Sequence, residues 1–308
     1  MEKLLAQSIE AAKRANVIKP SSMQRVIVDT TVMEKAIAYP TESALLERSR
    51  QHLIKVTRQC SLHLRHNYNR EAPRLVQKFG RFAHAKQFRR MRTALRALRS
   101  RVGRVHRGIA RQLDLLCLPQ RKALDDLLAR TGRFLTQERK EKNKLYALHA
   151  PEVECIAKGK ARTPYEFGVK VSIVMTLKEG LVIGARFMPG NPYDGHTLHE
   201  ALEQAGILSE VKPLMAFVDR GYRGVEVAGI QIKKSGQRGV TRGIKAMIKR
   251  RSAIEPTIGH MKNDGKLGRN WLKGSLGDAM HAVLCGAGHN IRLIIKKLKS
   301  CQPMAPVY

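Results

Sequence analysis

Acidic residues are scarce. The chain of 308 residues holds 25 Asp and Glu against 58 Lys and Arg, a formal charge of +33. Such self-repulsion is tolerated when a polyanion covers the surface; nucleic acid is the leading candidate, an anionic membrane face the alternative. Long apolar runs are also missing. Nothing approaches the roughly 18 uninterrupted apolar residues of a membrane span, so no transmembrane segment and no membrane partner are expected. The opening stretch, MEKLLAQSIEAAKRANVIK, carries charges throughout and lacks the apolar centre of a signal peptide. The five cysteines (60, 117, 155, 285 and 301) are odd in number and contain no CxxC pair. That argues against a disulfide framework and for reduced thiols in a cytoplasmic protein. Cys60, His63 and His66 lie close together, but no second ligand pair follows at finger spacing, so zinc is not expected. Aromatics make up only 5%, and Trp271, the single tryptophan, is expected in the core in preference to a role stacking on flipped DNA. What the chain does have is 43% hydrophobic residues, enough for a real core and too many for a disordered basic tail.

The periodicity changes along the chain. Residues 1–16 read as a helix with Leu4, Leu5, Ile9 and Ala12 on one face, broken by Lys19-Pro20-Ser21-Ser22. RVIVDTT then fits a buried strand ending on Asp29. From about Ser43 to Leu148 the pattern is helical, and between Ser61 and Arg111 there are 13 Arg and 2 Lys against one acid, Glu71. Met91, Leu95, Leu98, Val102, Val105 and Ile109 form an a/d stripe flanked by Arg92, Arg96, Arg99, Arg104 and Arg107. A helix pair over about 119–146 is expected to break at Thr131-Gly132. Beyond Pro151, YEFGVKVSIVMT and LVIGARFM around Lys178-Glu179-Gly180 read as a β-hairpin. PGNPYDGH leads to a short helix from Thr197, PLMAFVD is another strand ending in Asp, a short strand follows around Val227–Ile232, and helices fill most of the remainder. The fold class is therefore α/β, a mixed sheet with a basic, largely helical insertion between the first strand and the hairpin. The expected divisions are 1–42, 43–150, 151–300 and a tail over 301–308.

In so basic a chain the few carboxylates are informative. Asp29 and Asp219 each follow apolar strand residues; if those strands are parallel neighbours, both project from one sheet edge. Glu255 is the one carboxylate among nine Lys and Arg over 233–262. A lone acid in a phosphate-binding surface repels its ligand unless a divalent cation bridges the two. Three carboxylates holding two Mg²⁺ ions would make a two-metal site for phosphodiester chemistry. Simpler roles compete. Asp at a strand end forms turns, and Ser252-Ala-Ile-Glu255 fits a capping box with Pro256 tolerated in the first turn. GQRGVTRG is too loose for a phosphate loop.

Five stretches together, VIVDTTVMEKAIAYPTES, NKLYALHAPEVECIAKGKARTPYEFGVKVSI, MPGNPYDGHTL, FVDRGYRG and KRRSAIEPTIGHMKNDGKLGRNWLKGSLGDAMHAVLCGAGHNIR, resemble the transposases of bacterial insertion sequences. The likeness is to the DDE class with an RNase H-like core, in insertion-sequence family five of the wider family-four superfamily, and it covers essentially the whole chain. It implies that Asp29, Asp219 and Glu255 are the DDE acids and metal ligands, with 35 residues between the last two. The superfamily's third acid lies in a Tyr, Arg, Glu, Lys signature. Arg251 and Lys262 match the Arg and Lys, while Ile248 stands at the Tyr position. Relatives commonly carry a helical domain ahead of the first Asp; with 28 residues before Asp29, this chain resembles an N-terminally short copy.

The resemblance implies hydrolysis at the element ends, freeing 3′-hydroxyls that the same site directs onto target phosphates, with two Mg²⁺ (or Mn²⁺) per site. Arg251 and Lys262 would hold phosphates near the scissile bond, and Arg220, Arg223, Lys249 and Arg250 would clamp the backbone. Arg92, Arg96 and Arg99 either track phosphates or form the solvated face of a coiled-coil-like element that packs or dimerises. The ratio of bases to acids there favours DNA. The implied partners are double-stranded DNA, both element ends and target, and further copies of the chain as a homodimer or higher oligomer, in the cytoplasm with the nucleoid. The alternative is an inactive, truncated relic that only binds DNA; a nuclease that cuts without joining is a third reading.

Overall fold

The computed structural model describes residues 2–138, 140–157, 159 and 163–301. In chain order, α1 (Glu2–Arg14) precedes β1 (Arg25–Glu34). Then come α2 (Glu42–Gln59), α3 (Glu71–His84), α4 (Phe88–Ala110) and α5 (Leu118–Thr136). The rest is β2 (Glu154–Ala157), β3 (Tyr165–Thr176), β4 (Val182–Met188), α6 (Asp194–Ser209), β5 (Met215–Val218), β6 (Gln231–Lys234), α7 (Arg242–Arg250), α8 (Ile254–Asn263) and α9 (Gly274–Cys301). The chain divides into two compact units: the N-terminal residues to Ala36 together with the chain from Cys155 onward, and Ile37–Glu154. No helix among the described residues is long and apolar enough to cross a membrane.

The first unit is built on a mixed sheet in the order β2-β3-β1-β5-β6, with β4 also paired to β3. β1 runs antiparallel to β3 and parallel to β5, and β5 runs parallel to β6. The expected hairpin is β3–β4, antiparallel from Lys170 opposite Met188 to Met175 opposite Val182. Val26, Ile27, Val28, Ile173, Val174, Phe217 and Val218 are buried together with Leu5, Ile9 and Ala12 of α1. Leu4, expected on that face, is exposed. Helices α1, α6 and α9 pack on β4, and α1 also packs on α6 and on α9. Asn290 of α9 fastens the sheet by accepting from the Val182 amide and donating to the Val182 carbonyl.

β1 does not end at Asp29. The strand continues to Glu34 because β3 offers it an antiparallel partner throughout, ending with Gly168 opposite Glu34. The approach there is so close that a Cβ on Gly168 would press into the Met33 carbonyl oxygen, which only glycine avoids. It is β5 that stops, at Val218, so the parallel edge falls at Asp29 from the other side.

The second unit packs α2 to α5 around Leu46, Leu98, Val102 and Phe134, and around Leu53, Val105, Ile109, Leu124 and Leu128. The a/d stripe on α4 is buried at Leu98, Val102, Val105 and Ile109 and half-buried at Met91 and Leu95. The expected break at Thr131-Gly132 is absent: α5 runs unbroken to Thr136. Thr131 donates its hydroxyl to the Leu127 carbonyl, and His106 of α4 packs beside Gly132, its ring nitrogen meeting the Leu128 carbonyl at 3.0 Å. Helix packing here outweighs the roughly 1 kcal/mol helix cost of a glycine. Trp271 is not a core residue; it is 63% exposed, with the Arg269 guanidinium 5.8 Å from its ring centroid.

Candidate active site

The β1–β5 register pairs Arg25 with Met215 and Ile27 with Phe217. Continued two residues past the last pair, it sets Asp29 beside Asp219. Each carboxylate is held by local backbone. The Thr30 amide donates to Asp29 Oδ1 at 2.8 Å, and the Gly221 amide donates to Asp219 Oδ1 at 2.7 Å. The turn-forming role of Asp219 is thus real and coexists with its place beside Asp29. A Cβ on Gly221 would lie 2.9 Å from Asp219 Oδ1, so a side chain there would push the carboxylate out of place.

Asp29 is largely buried, and burial pushes its carboxyl from the ordinary 3.8 up to about 6. The Thr30 amide and the Arg251 charge oppose that rise, while the charges of Asp219 and Asp194 add to it. Asp194 is the acid that sequence reasoning missed. It opens α6 three residues before the expected start, accepts from the Thr30 hydroxyl at 2.8 Å, and pairs with Lys170 at 2.9 Å. Its one linear signal was that it ends a turn-rich loop in an acid-poor chain. Tyr222 is fully buried among these groups. Burial first, and then the charges of Asp29, Asp194 and Asp219, hold its phenol protonated. Tyr193 ties the start of α6 to the loop after β5: its hydroxyl donates to the Gly221 carbonyl and accepts from the Arg223 amide.

Glu255 lies in the first turn of α8 with a side chain 66% exposed. The expected capping box does not form. Residues 250–254 keep helical dihedrals through a 3₁₀ turn, Ala253 takes the cap position, and the Ser252 hydroxyl donates to the Lys249 carbonyl. The chain passes from α7 into α8 without leaving the helical region, so no extended cap residue is available to accept from the helix.

The expected phosphate contacts separate into two groups. Arg251, 15% exposed, does not face solvent: it pairs with Asp29 at 3.1 Å and with Glu255 at 3.3 Å, a single guanidinium bridging two of the three acids. Arg250 is committed to structure, donating to the Leu177 and Lys178 carbonyls at 2.8 and 2.7 Å and so holding the β3–β4 turn. Arg220, Arg223 and Lys249 are exposed, and Lys262 is half-buried on α8. In the second unit Arg92 and Arg96 are exposed, whereas Arg99 pairs with Glu42 and donates to the Gln137 carbonyl. These three arginines line one cavity of about 590 Å³ with Glu42 and Glu138. His260 is engaged with Asp264 at 2.9 Å.

Among the described residues no three His, Cys, Asp or Glu side chains converge closely enough to hold a metal ion. The donor chemistry of the acids nonetheless suits a hard divalent cation, because all are carboxylate oxygens. Burial, more than the neighbouring charges of Asp219 and Asp194, raises the Asp29 carboxyl, and the Arg251 charge only partly offsets it. Arg251 stands between Asp29 and Glu255, bonded to both.

Carboxylates gathered at the edge of a mixed sheet, in a chain of formal charge +33, set oxygen donors among many cations. Residues 128–287, more than half of the chain, match the family described as Transposase DDE domain, and the chain belongs to that family. The matched stretch includes Asp194, Asp219, Arg251 and Glu255 and begins after Asp29. The chain is also similar to a protein of Rhizobium meliloti described as "Uncharacterized protein ORF8 in nfe locus", 43% identical over 88 residues, 29% of this chain and 42% of that protein. The match therefore spans less than half the length of that relative. No solved structure matches.

Proposed function

We propose that this chain is a transposase of insertion-sequence family five, acting on double-stranded DNA through an RNase H-like core with Asp29, Asp219 and Glu255 as its catalytic acids. The observation that carries the reading is the register that brings Asp29 and Asp219 together from strands 190 residues apart, with Glu255 linked to Asp29 through Arg251. Asp29, Asp219 and Glu255 would hold two Mg²⁺ ions, or Mn²⁺ in their place. Bound there, the metals would polarise the scissile phosphate and lower the pKa of the attacking water or 3′-hydroxyl. The protein's own groups do the rest. The Thr30 and Gly221 amides orient the two aspartates, Lys170 and Thr30 hold Asp194 as outer support, and Tyr222 closes the floor against water. Arg251, released from Asp29 and Glu255, is placed to meet a phosphate at the same spot. Exposed Arg220, Arg223, Lys249, Arg92 and Arg96 supply salt-dependent backbone affinity. Pairing of two ends requires a homodimer or higher oligomer on DNA, in the cytoplasm with the nucleoid.

The test uses pre-nicked DNA ends of the flanking element, a supercoiled target and Mg²⁺ or Mn²⁺. Metal-dependent joined products that vanish in Asp219→Ala and Glu255→Ala support the proposal. Nicks without joining would point to a nuclease, and binding without cutting, unchanged by either substitution, would reject the catalytic reading.

A further inference from the structure

Beside the acids, the loop after β6 and helix α7 enclose a cavity of about 740 Å³ lined by Arg238, Arg242, Lys245 and Lys249. None of its lining residues is acidic. Among the described residues none of these four cations forms an ion pair, although Arg250 and Arg251, next along the chain, are both fully engaged. Thr241 caps α7 by accepting from the Ile244 amide. That fixes the helix start and sets Arg242, Lys245 and Lys249 on one face at intervals of three and four. Met247 packs against the core, and Ile248 packs there too while also lining the cavity. Opposite α7, the loop turns at Gly236 (φ +77°) and Gly239 (φ +69°), left-handed positions that favour glycine. Arg220, the residue after Asp219, lies over Gly236; a Cβ there would come within 2.6 Å of its guanidinium.

The bland reading is a solvated basic face. Solvated helices interleave opposite charges, and like charges at these intervals cost a few tenths of a kcal/mol per pair. Here the cations line one concavity with no acid among its lining residues, so a bound polyanion would relieve their mutual repulsion. The size fits a nucleic-acid strand. From Arg242 to Lys249 is about 10 Å at ~1.5 Å per residue, the axial length of about three phosphates of one DNA strand at ~3.4 Å each. Both ends of this wall join the acid cluster, through Arg220 to Asp219 and through α7 to Arg251 and Glu255.

We propose that this cavity is a DNA-backbone subsite. Arg238, Arg242, Lys245 and Lys249 hold successive phosphates of the strand leaving the Asp29–Asp219–Glu255 centre, without reading sequence. The proposal rests on the transposase reading and extends it from Lys249, which that reading already uses, to Arg238, Arg242 and Lys245, which it does not. The stretch GQRGVTRG, which lacks the spacing of a phosphate loop, serves as one basic wall.

The test is fluorescence anisotropy of a labelled 30-base-pair duplex, in chelator, as a function of NaCl. The cavity variant Arg238→Ala/Arg242→Ala/Lys245→Ala is compared with Lys3→Ala/Lys296→Ala/Lys299→Ala, which removes three exposed cations from α1 and α9. At about 0.9 per phosphate contact, the cavity variant should flatten the slope of log K against log[salt] by about 2.7 and weaken binding on the order of a hundredfold at 0.1 M salt. The control should change the slope by less than about 1. Arg238→Lys/Arg242→Lys, which keeps charge, should retain the wild-type slope and so separates lost contacts from misfolding. Equal slopes for the cavity and control variants would overturn the subsite while leaving the transposase reading standing. Absence of DNA binding by the wild type would overturn both.

Discussion

Replacing Asp29 by Asn should stabilise the metal-free protein. The carboxyl titrates at about 6 when folded, above the ordinary 3.8, so between those values the folded chain binds a proton that the unfolded chain releases. The stability this group confers is therefore present at low pH and is lost as pH rises through about 6. At pH 8 the ionised carboxylate costs the gap between the two values, about 3 kcal/mol at roughly 1.36 kcal/mol per pH unit. Asparagine matches the shape and can still accept from the Thr30 amide. Arg251 loses one partner but keeps Glu255, which returns part of the gain, leaving about 1–3 kcal/mol. For a unit of this size that is a rise in Tm of about 3–10 °C. Thermal melts in EDTA from pH 5 to 8 should show the variant ahead at pH 8 and the two proteins converging toward pH 5. Millimolar Mg²⁺ should then raise the Tm of the wild type, because only the folded state binds it, and leave Asp29→Asn unmoved. A variant that melts below wild type in EDTA at pH 8 would refute the reasoning, since Asp29 would then be stabilised by Arg251 more than it is strained by burial.

Other consequences can be measured separately. Arg251→Ala removes the cation that bridges Asp29 and Glu255, so Mn²⁺ affinity by calorimetry should tighten about tenfold, about 1.4 kcal/mol; unchanged or weaker affinity would contradict the bridging role. At pH 8 the exposed Cys117 should alkylate within minutes, whereas Cys285, buried and with its thiol pushed up to about 11, should resist until denaturant is added, as peptide mapping can show. Lys35 and Asp278 form a buried pair in which Asn270 also donates to Asp278. Lys35→Ala should cost about 3–5 kcal/mol in denaturant unfolding because it strands the carboxylate, and Lys35→Met/Asp278→Leu should recover much of that loss; equal losses in the two variants would refute it.

The strands were legible because β-branched runs such as VIVD and SIVM fit a pleated, half-buried surface, and the hairpin fell where Lys178-Glu179-Gly180 interrupts them. Strand ends were less so: whether β1 stops at Asp29 depends on β3, a partner more than a hundred residues away. Thr131-Gly132 reads as a break until α4 is placed against it. Ser252 and Glu255 have capping-box spacing, but continuous helical dihedrals from α7 override it. Asp194 stayed hidden because a loop-ending acid looks like any other until Thr30 and Lys170 come to it.

The sequence by itself determined the excess of positive charge, the apolar segments that make the sheet, and the scarcity that singled out Asp29, Asp219 and Glu255. These are properties of neighbouring residues and of composition, and they survive any fold. The tertiary structure decided which cations are committed to partners within the fold and which are left on the surface. Arg251 meets a carboxylate 222 residues away, Arg250 meets carbonyls 72 and 73 residues away, and among the described residues Arg242 and Lys245 pair with no acid. A guanidinium has the same charge in every linear context. Its partner is set by chain segments that only folding brings within hydrogen-bonding distance.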